Sequence, residues 1–351
     1  MDLWKNYDVQ IPDMISRLPG IPEMIRLKHV GMNCGCEYTS FPLFRSMKER
    51  YTRYDHSMGA ALLVWRFSED PAQTLAAAFH DIATPCFAHV VDFVLGDHMK
   101  QESTESRTRE MILGSGAIRS LLDDLGLGVD DVADYHRYPI ADNDPPGLSA
   151  DRLEYTLGNL LNYGRRDRDR IGAYLDDLKA GINEEGKPEL VFRDADTAVD
   201  FALGALEMGK IYVSDEDRFA MEMLAEILKE AMSAGVITMD DLWTTEEAVI
   251  ARLERDHRSG ERWDHFRGYY QVRRGEGTVI HAKKRYIDPF VENRGRVSEI
   301  FGGFKAAADA FMDESQDEPV SGSSYRDGYG ERFRQVPDRE RSQTEGDEEK
   351  R

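Results

Sequence analysis

Cysteine is scarce in this sequence of 351 residues, which contains only Cys34, Cys36 and Cys86. So few thiols, in an odd number, exclude a disulfide framework of the kind that supports small secreted domains. The spacing Cys34-x-Cys36 is also shorter than that of the usual zinc-binding cysteine pairs. The stretch MDLWKNYDVQIPDM lacks the basic and apolar regions of a secretory signal. We therefore expect a protein of the reducing cytoplasm.

Long apolar runs, phosphate-binding loops and an excess of basic residues are missing as well. No window approaches the roughly 18 apolar residues of a membrane span. The G-x-G-x-x-G, Walker and G-x-S-x-G motifs do not occur. Asp and Glu outnumber Lys and Arg by 66 to 45, which gives a net charge of -21. This balance argues against binding to membranes or to nucleic acids in general, but it permits a local basic pocket for a small anion.

Helical patterns dominate most of the chain. Apolar residues recur at helical spacing in segments such as 150–164, and Pro71 stands where a first helical turn would begin. Near residue 270 the pattern changes to the short β-leaning stretches YYQVRR, GTVIHAKKRYI and FVEN. We predict a mostly α-helical protein with a helical core in residues 1–235, an α+β extension in 236–314 and a polar, disordered tail in 315–351.

Side chains that can bind metals stand on three otherwise apolar segments. They are His56 in RYDHSMGAALL, His80 and Asp81 in AAAFHDIATP, and Asp151 in SADRLEYTLGNLL. An unpaired carboxylate in an apolar interior is costly, and a bound divalent cation would compensate its charge. A mixed imidazole and carboxylate set suits Mn, Fe, Ni, Co or Zn. A hydrogen-bonded helix end explains an isolated His-Asp pair more simply, so the pair by itself leaves both interpretations open.

The wider context resembles a known family. The segments TRYDHSMG, FHDIATPCFAH and ADRLEY resemble the H…HD…D signature of the HD-domain metal-dependent phosphohydrolases. The likeness covers roughly residues 20 to 235 and is greatest to the deoxynucleoside triphosphate triphosphohydrolases, the dGTPase-like branch. It implies an HD-domain helical bundle with a small β-containing C-terminal extension, assembled as a homo-oligomer. It also implies a divalent metal ion (Mn, Fe, Ni, Co, Zn or Mg) held by His56, His80, Asp81 and Asp151.

The same resemblance implies residues that contact the substrate. Arg53 matches an arginine that contacts the substrate near the metal, and Tyr155 matches a tyrosine of the sugar pocket. Two basic runs, YGRRDRDR at 163–170 and the run from Lys283 to Arg285, are candidates for binding phosphates, with solvated surface charge as the alternative. The residues from which we expect substrate contacts are Arg53, Tyr155, Arg165, Arg166 and Lys210.

The chain departs from the family around the metal motif. Thr84 replaces a histidine that contacts phosphate or water, and Gln101 stands where the next helix usually has a histidine. Since glutamine does not transfer protons at neutral pH, acid–base catalysis has to come from other residues. Our candidates for that role are Glu102, His89 and His98. Asn159 also replaces an aspartate that helps to bind the dNTP. The chain therefore matches the metal ligands of the family better than its dNTP-binding residues.

We expect a metal-dependent phosphohydrolase that uses metal-activated water to cleave a phosphate ester or anhydride of a nucleotide-like substrate. Cleavage of a dNTP to a deoxynucleoside and triphosphate is the narrower hypothesis. Two other functions stay open. A catalytically silent nucleotide-binding or scaffold module would explain the changes at Thr84 and Gln101. A di-iron oxygenase on the same fold would need further ligands from His89, His98 or His136, whose spacing does not match the two-metal pattern.

Overall fold

A computed structural model describes Tyr7, Gln10–Leu95 and Arg107–Asp327. The described part is mostly α-helical with a few short strands, which confirms the predicted fold class. The helices before residue 178 are α1 (Asp13–Arg17), α2 (Pro22–Leu27), α3 (Pro42–Arg45), α4 (Arg53–Ser68), α5 (Pro71–Phe79), α6 (Val90–Leu95), α7 (Thr108–Gly114), α8 (Gly116–Leu125), α9 (Ala150–Asn162) and α10 (Arg168–Asp177). The later helices are α11 (Ala195–Ile211), α12 (Asp215–Ser233), α13 (Glu246–Arg255), α14 (His257–Arg267), α15 (Val297–Ile300) and α16 (Gly302–Asp313).

Two small sheets accompany these helices. The strands are β1 (Leu178–Ile182), β2 (Pro188–Phe192), β3 (Tyr269–Thr278), β4 (Phe290–Val291), β5 (Gly295–Arg296) and β6 (Val320–Ser324). The first sheet has the order β1-β2-β4-β5, in which β1 and β2 form an antiparallel hairpin and β2 pairs with β4 in parallel. The hairpin was not predicted, and Gly186 closes its turn with a φ of 75°. The second sheet pairs β3 with β6.

Polar caps start the three helical segments that carry the metal motif. The Thr52 side chain accepts a hydrogen bond from the backbone of Asp55 and begins α4. Asp70 caps α5, whose first residue is Pro71, and Ser149 caps α9. Each cap satisfies backbone N–H groups that would otherwise lack partners at a helix start. These starts place His56 and Asp151 in the first turns of their helices, while His80 follows the end of α5.

The motif helices pack closely on one another. Helix α4 contacts both α5 and α9. At Gly59 of α4, a Cβ atom would lie only 2.2 Å from Oε1 of Glu154 on α9, so only glycine fits that contact. The close approach seats the buried Glu154 carboxylate against the helix that carries His56.

The apolar core consists of two clusters of buried side chains. One includes Met14, Leu62 and Phe311, and the other includes Cys36 and Val320. Both clusters take residues from each side of position 235. The described residues of 236–314 therefore share buried clusters with the helical body, and the predicted division of the chain into domains stays a prediction.

The structure differs from the sequence prediction at the start of the expected tail. Strand β6 lies inside segment 315–351, pairs with β3 and buries Val320 and Ser324. Backbone pairing supplies order that the polar composition of this segment did not indicate. Residues 328–351 lie outside the described part of the chain. Among the residues that are described, no helix is both long and apolar enough to cross a membrane.

Candidate metal centre

Three of the predicted ligands converge on one point. His56, His80 and Asp151 each offer a ligand atom, and these atoms all lie within 4.8 Å of one another. Oδ1 of Asp151 lies 3.0 Å from Nε2 of His56 and 3.3 Å from Nε2 of His80. The starts of α4 and α9 and the end of α5 thus bring together residues that are up to 95 positions apart in the chain.

Hydrogen bonds on the far side of each ring orient the two imidazoles. Nδ1 of His80 donates to the carbonyl oxygen of Ala77 at 2.7 Å, and Nδ1 of His56 donates to Oε2 of Glu154 at 2.6 Å. Both Nε2 atoms are therefore left to face the shared centre. Metal-binding histidines usually have such a partner on their second nitrogen, and the donor set suits a divalent transition metal. The residues present fit a divalent cation.

Asp81, the fourth predicted ligand, borders this group. Its Oδ2 lies 3.5 Å from Nε2 of His80 and 4.0 Å from Nε2 of His56. The carboxylate also accepts hydrogen bonds from Nη1 of Arg53 at 3.1 Å and from the Thr84 hydroxyl at 2.6 Å. The Thr84 hydroxyl thus supports the carboxylate. Asp81 as a metal ligand stays a prediction.

The electrostatics of the centre favour charged side chains despite burial. Burial disfavours a protonated His56, but hydrogen bonds to Asp151 and Glu154 outweigh this and raise its pKa to about 10. Against the same cost of burial, Asp81 and Asp151 raise the pKa of His80. The histidines hold the pKa of Asp151 well below its usual range, although burial opposes this. A cation that binds here has to displace imidazolium protons, so its affinity depends on pH.

A cavity of about 720 Å³ adjoins the centre. It is lined by the metal-ligand candidates and by three other predicted site residues, Arg53, Tyr155 and His89. The Tyr155 ring lies 6.3 Å from the His56 ring, measured between centroids. Tyr212 lies on the other side of Tyr155, with 6.2 Å between those ring centroids. The cavity therefore joins the charged centre to an aromatic wall.

The other predicted substrate residues lie elsewhere. Arg165, Arg166 and Lys210 are not among the residues that line the cavity. Arg166 donates to the Tyr174 hydroxyl at 3.0 Å and pairs with Asp200 at 2.9 Å. The basic run at the start of α10 thus forms an ion-pair network with α11. The structure does not bring these three cations to the centre.

The predicted acid–base residues fall into two groups. His89 lines the cavity, and its Nδ1 lies 3.0 Å from Oδ2 of Asp92, a fully buried carboxylate. His98 and Glu102 lie outside the described residues. Of the three candidates, His89 is therefore the one that the described structure brings to the cavity.

Glu154 belongs to the centre although it was not among the predicted site residues. This carboxylate is fully buried and accepts hydrogen bonds from the hydroxyls of Tyr7 and Tyr51 besides contacting His56. Its position three residues after Asp151 places it nearly on the same face of α9. Together with Gly59, which leaves room for it, that spacing was the available signal.

Comparisons with known proteins agree with the metal motif. No family model matches the chain. It is 28% identical over 206 residues to the uncharacterized protein YdhJ of Bacillus subtilis. It is 25% identical over 223 residues to metal-dependent phosphohydrolase cns2 of Cordyceps militaris. The alignments cover 58% and 60% of this chain, respectively, and 61% of each relative.

The chain thus spans less than two thirds of the length of either relative. The name of the second relative, joined to the convergence of His56, His80 and Asp151, supports the HD-type phosphohydrolase superfamily. The likeness to the dNTP triphosphohydrolase branch stays a prediction.

Proposed function

We propose that this chain is a metal-dependent phosphohydrolase that cleaves a phosphate ester or anhydride of a nucleotide-like small molecule. The observation that carries the proposal is the convergence of His56, His80 and Asp151 beside a cavity. A divalent cation in such a set supplies Lewis acidity and activates water near neutral pH. The relative that is named a metal-dependent phosphohydrolase supports the same chemistry.

Arg53 would stabilise the negative charge of the phosphoryl group. Its Nη1 atom contacts Asp81, and its buried Nε atom has no hydrogen-bond partner within the described ranges. A guanidinium fixed in a cavity stabilises charge that develops on phosphate oxygens. The same ion pair holds Asp81 ionised next to the two histidines, and we propose Asp81 as the fourth metal ligand.

His89 is our candidate for proton transfer to the leaving group. Its hydrogen bond with the buried Asp92 fixes the ring in a wall of the cavity. Imidazole exchanges protons near neutral pH and thus suits a general acid or base.

The aromatic wall supports a nucleotide-like substrate. Tyr155 and Tyr212 can pack against a planar ring or a sugar, as aromatic side chains do in many small-molecule sites. Asn159 lines the same region and donates to the Tyr212 hydroxyl at 2.7 Å. We propose the cleavage of a dNTP as the narrower activity. We also propose that the protein forms a homo-oligomer, and light scattering tests this by measuring the molar mass in solution.

Hydrolysis assays with added metals test the proposed function. Purified protein with Mn, Fe, Ni, Co, Zn or Mg should hydrolyse at least one member of a panel of dNTPs, nucleoside monophosphates and signalling nucleotides. Failure with every metal contradicts the proposal. Tight nucleotide binding without turnover would favour a silent binding module. Two irons per chain with an oxygen-dependent signal would favour an oxygenase.

A further inference from the structure

An extended segment without helix or strand, residues 279–289, connects β3 to β4, and we call it the strap. Residues 282–287 of the strap line the cavity. The backbone of Ala282 donates to the Gln316 side chain at 2.7 Å, and that of Asp288 donates to the carbonyl oxygen of Pro146 at 2.8 Å. The strap is therefore anchored close to both ends of the run that lines the cavity.

The side chains of the strap alternate in exposure. Lys283 and Arg285 are exposed, whereas Ala282 and Lys284 are half-buried. Alternate side chains of an extended chain point to opposite sides. Lys284 accordingly points into the protein, where its Nζ donates to the carbonyl oxygen of Phe311 at 2.7 Å near the end of α16. Lys283 and Arg285 share the other side.

Arg285 lines the same cavity as Tyr155 and the metal-ligand candidates. Its charge partly offsets the burial that raises the pKa of Tyr155 to about 12. Tyr155 in turn neighbours His56. The strap also approaches α11 tightly, since a Cβ at Gly209 would lie 3.0 Å from the carbonyl oxygen of Arg285. The strap and the metal-ligand candidates border one cavity, and Tyr155 stands in its wall.

Neither Lys283 nor Arg285 has an ion-pair partner in the part of the chain that the structure describes. Arg53 and Arg166, by contrast, each pair with a carboxylate. In a protein whose net charge is -21, cavity-facing cations without a carboxylate partner stand out. Lys283 and Arg285 are hydrated and can exchange that hydration for contacts with an anionic ligand.

We infer that Lys283 and Arg285 form a second anion-binding subsite, which holds phosphate groups beyond the one that is cleaved. The inference rests on the proposed function. It assigns the substrate to compounds with a chain of two or more phosphates, such as nucleoside di- and triphosphates. Arginine offers a planar fork of donors to phosphate oxygens, and lysine adds a point charge.

Binding of inorganic anions to the chelator-treated full chain tests the subsite without turnover. By calorimetry, tripolyphosphate should bind more tightly than pyrophosphate, and pyrophosphate more tightly than orthophosphate. Arg285→Gln should weaken tripolyphosphate binding about tenfold, whereas Arg285→Lys should retain most of it. Lys283→Gln should weaken it less than Arg285→Gln. Lys210→Gln is the matched control, because Lys210 is exposed and outside the cavity.

Equal binding of the three anions, or equal affinities of Arg285→Gln and Lys210→Gln, would overturn the subsite. Thermal unfolding establishes that each variant is folded. If Arg285→Gln does not fold, Lys283→Gln is compared with Lys210→Gln instead. Weaker tripolyphosphate binding by Lys283→Gln supports the subsite, and equal affinities overturn it.

Kinetics separate this inference from the proposed function. Arg285→Gln should raise KM for a nucleoside triphosphate about tenfold with little change in kcat, because the contact is made equally in ground and transition states. KM for p-nitrophenyl phosphate should stay the same, and an equal rise would contradict the subsite. Failure of the proposed function looks different: the anions bind as expected, yet no ester is hydrolysed with any metal.

Discussion

The metal centre and the strap line the same cavity, but their charged side chains differ in burial and in whether they have partners. At the centre, His56, Asp81 and Asp151 are buried or nearly so, and each contacts an oppositely charged or hydrogen-bonding neighbour. In the strap, Lys283 and Arg285 are exposed and have no ion-pair partner among the described residues.

This difference reflects what each region has to do. Buried charges need partners because desolvation is costly, and the partners also fix the geometry that metal binding requires. Exposed cations keep their hydration at little cost and can exchange it for an anionic ligand. The comparison predicts large effects from changes at the centre and smaller ones from exposed charges.

The largest effect is expected from Asp151→Asn. The amide removes the negative charge on which both Nε2 atoms converge, so the centre should lose its divalent cation. Since the cation contributes several kcal/mol to transition-state stabilisation, hydrolysis should fall at least about a thousandfold. Metal content and the hydrolysis rate measure this change. Asp200→Asn, outside the cavity, is the control, and an equal loss in both variants would contradict the assignment.

Glu154→Gln should have the next largest effect. The amide weakens the charged hydrogen bond that orients His56, so metal affinity should fall about 10- to 100-fold while the fold is retained. Competition with a chromophoric chelator measures the affinity. Tyr51→Phe removes only a hydroxyl that donates to Glu154 and should cost less. Unchanged affinity in Glu154→Gln would show that Glu154 does not position the ligand.

The stability of the metal-free protein and the affinity for the metal should change in opposite directions as pH rises. The pKa of His56 is about 10 in the folded protein, above its ordinary value of 6.5. In chelator-treated protein, the stabilisation from protonated His56 is fully present below pH 6.5 and is lost as pH rises towards 10. Metal affinity should rise over that range by up to about tenfold per unit for each proton displaced. The unfolding temperature, measured against pH once with chelator and once with Mn²⁺, follows both trends. If the two curves ran parallel, both expectations would be contradicted.

The smallest effect is expected from Arg166→Gln. This residue pairs with a partly exposed Asp200, so its loss should reduce the free energy of unfolding by about 1 kcal/mol or less. KM and kcat should not change. Denaturant unfolding and steady-state kinetics check this, and a tenfold rise in KM would return Arg166 to the substrate site.

The metal motif could be predicted because its chemistry is visible in residue types. His56, His80 and Asp151 stand in otherwise apolar segments, and the resemblance supplied their grouping. Glu154 could not be assigned in this way, since an acid on a helix usually faces solvent. Only the tertiary structure shows that it is buried, packed against Gly59 and hydrogen-bonded to Tyr7 and Tyr51.

Basic runs were harder to interpret because sequence does not show which way a cation points. Arg166 pairs with Asp200. Lys284 and Arg285 both line the cavity, but the Lys284 ammonium donates to the end of α16 whereas Arg285 has no such partner among the described residues. The β1–β2 hairpin was also missed, because its short strands flank the polar turn NEEGK and only tertiary packing buries β2.

Anomalous diffraction at the manganese edge, from crystals grown with Mn²⁺, tests the central claim most directly. We predict one peak between Nε2 of His56, Nε2 of His80 and the carboxylate of Asp151. A contradictory result would be the absence of a peak there while Mn²⁺ occupies another part of the molecule.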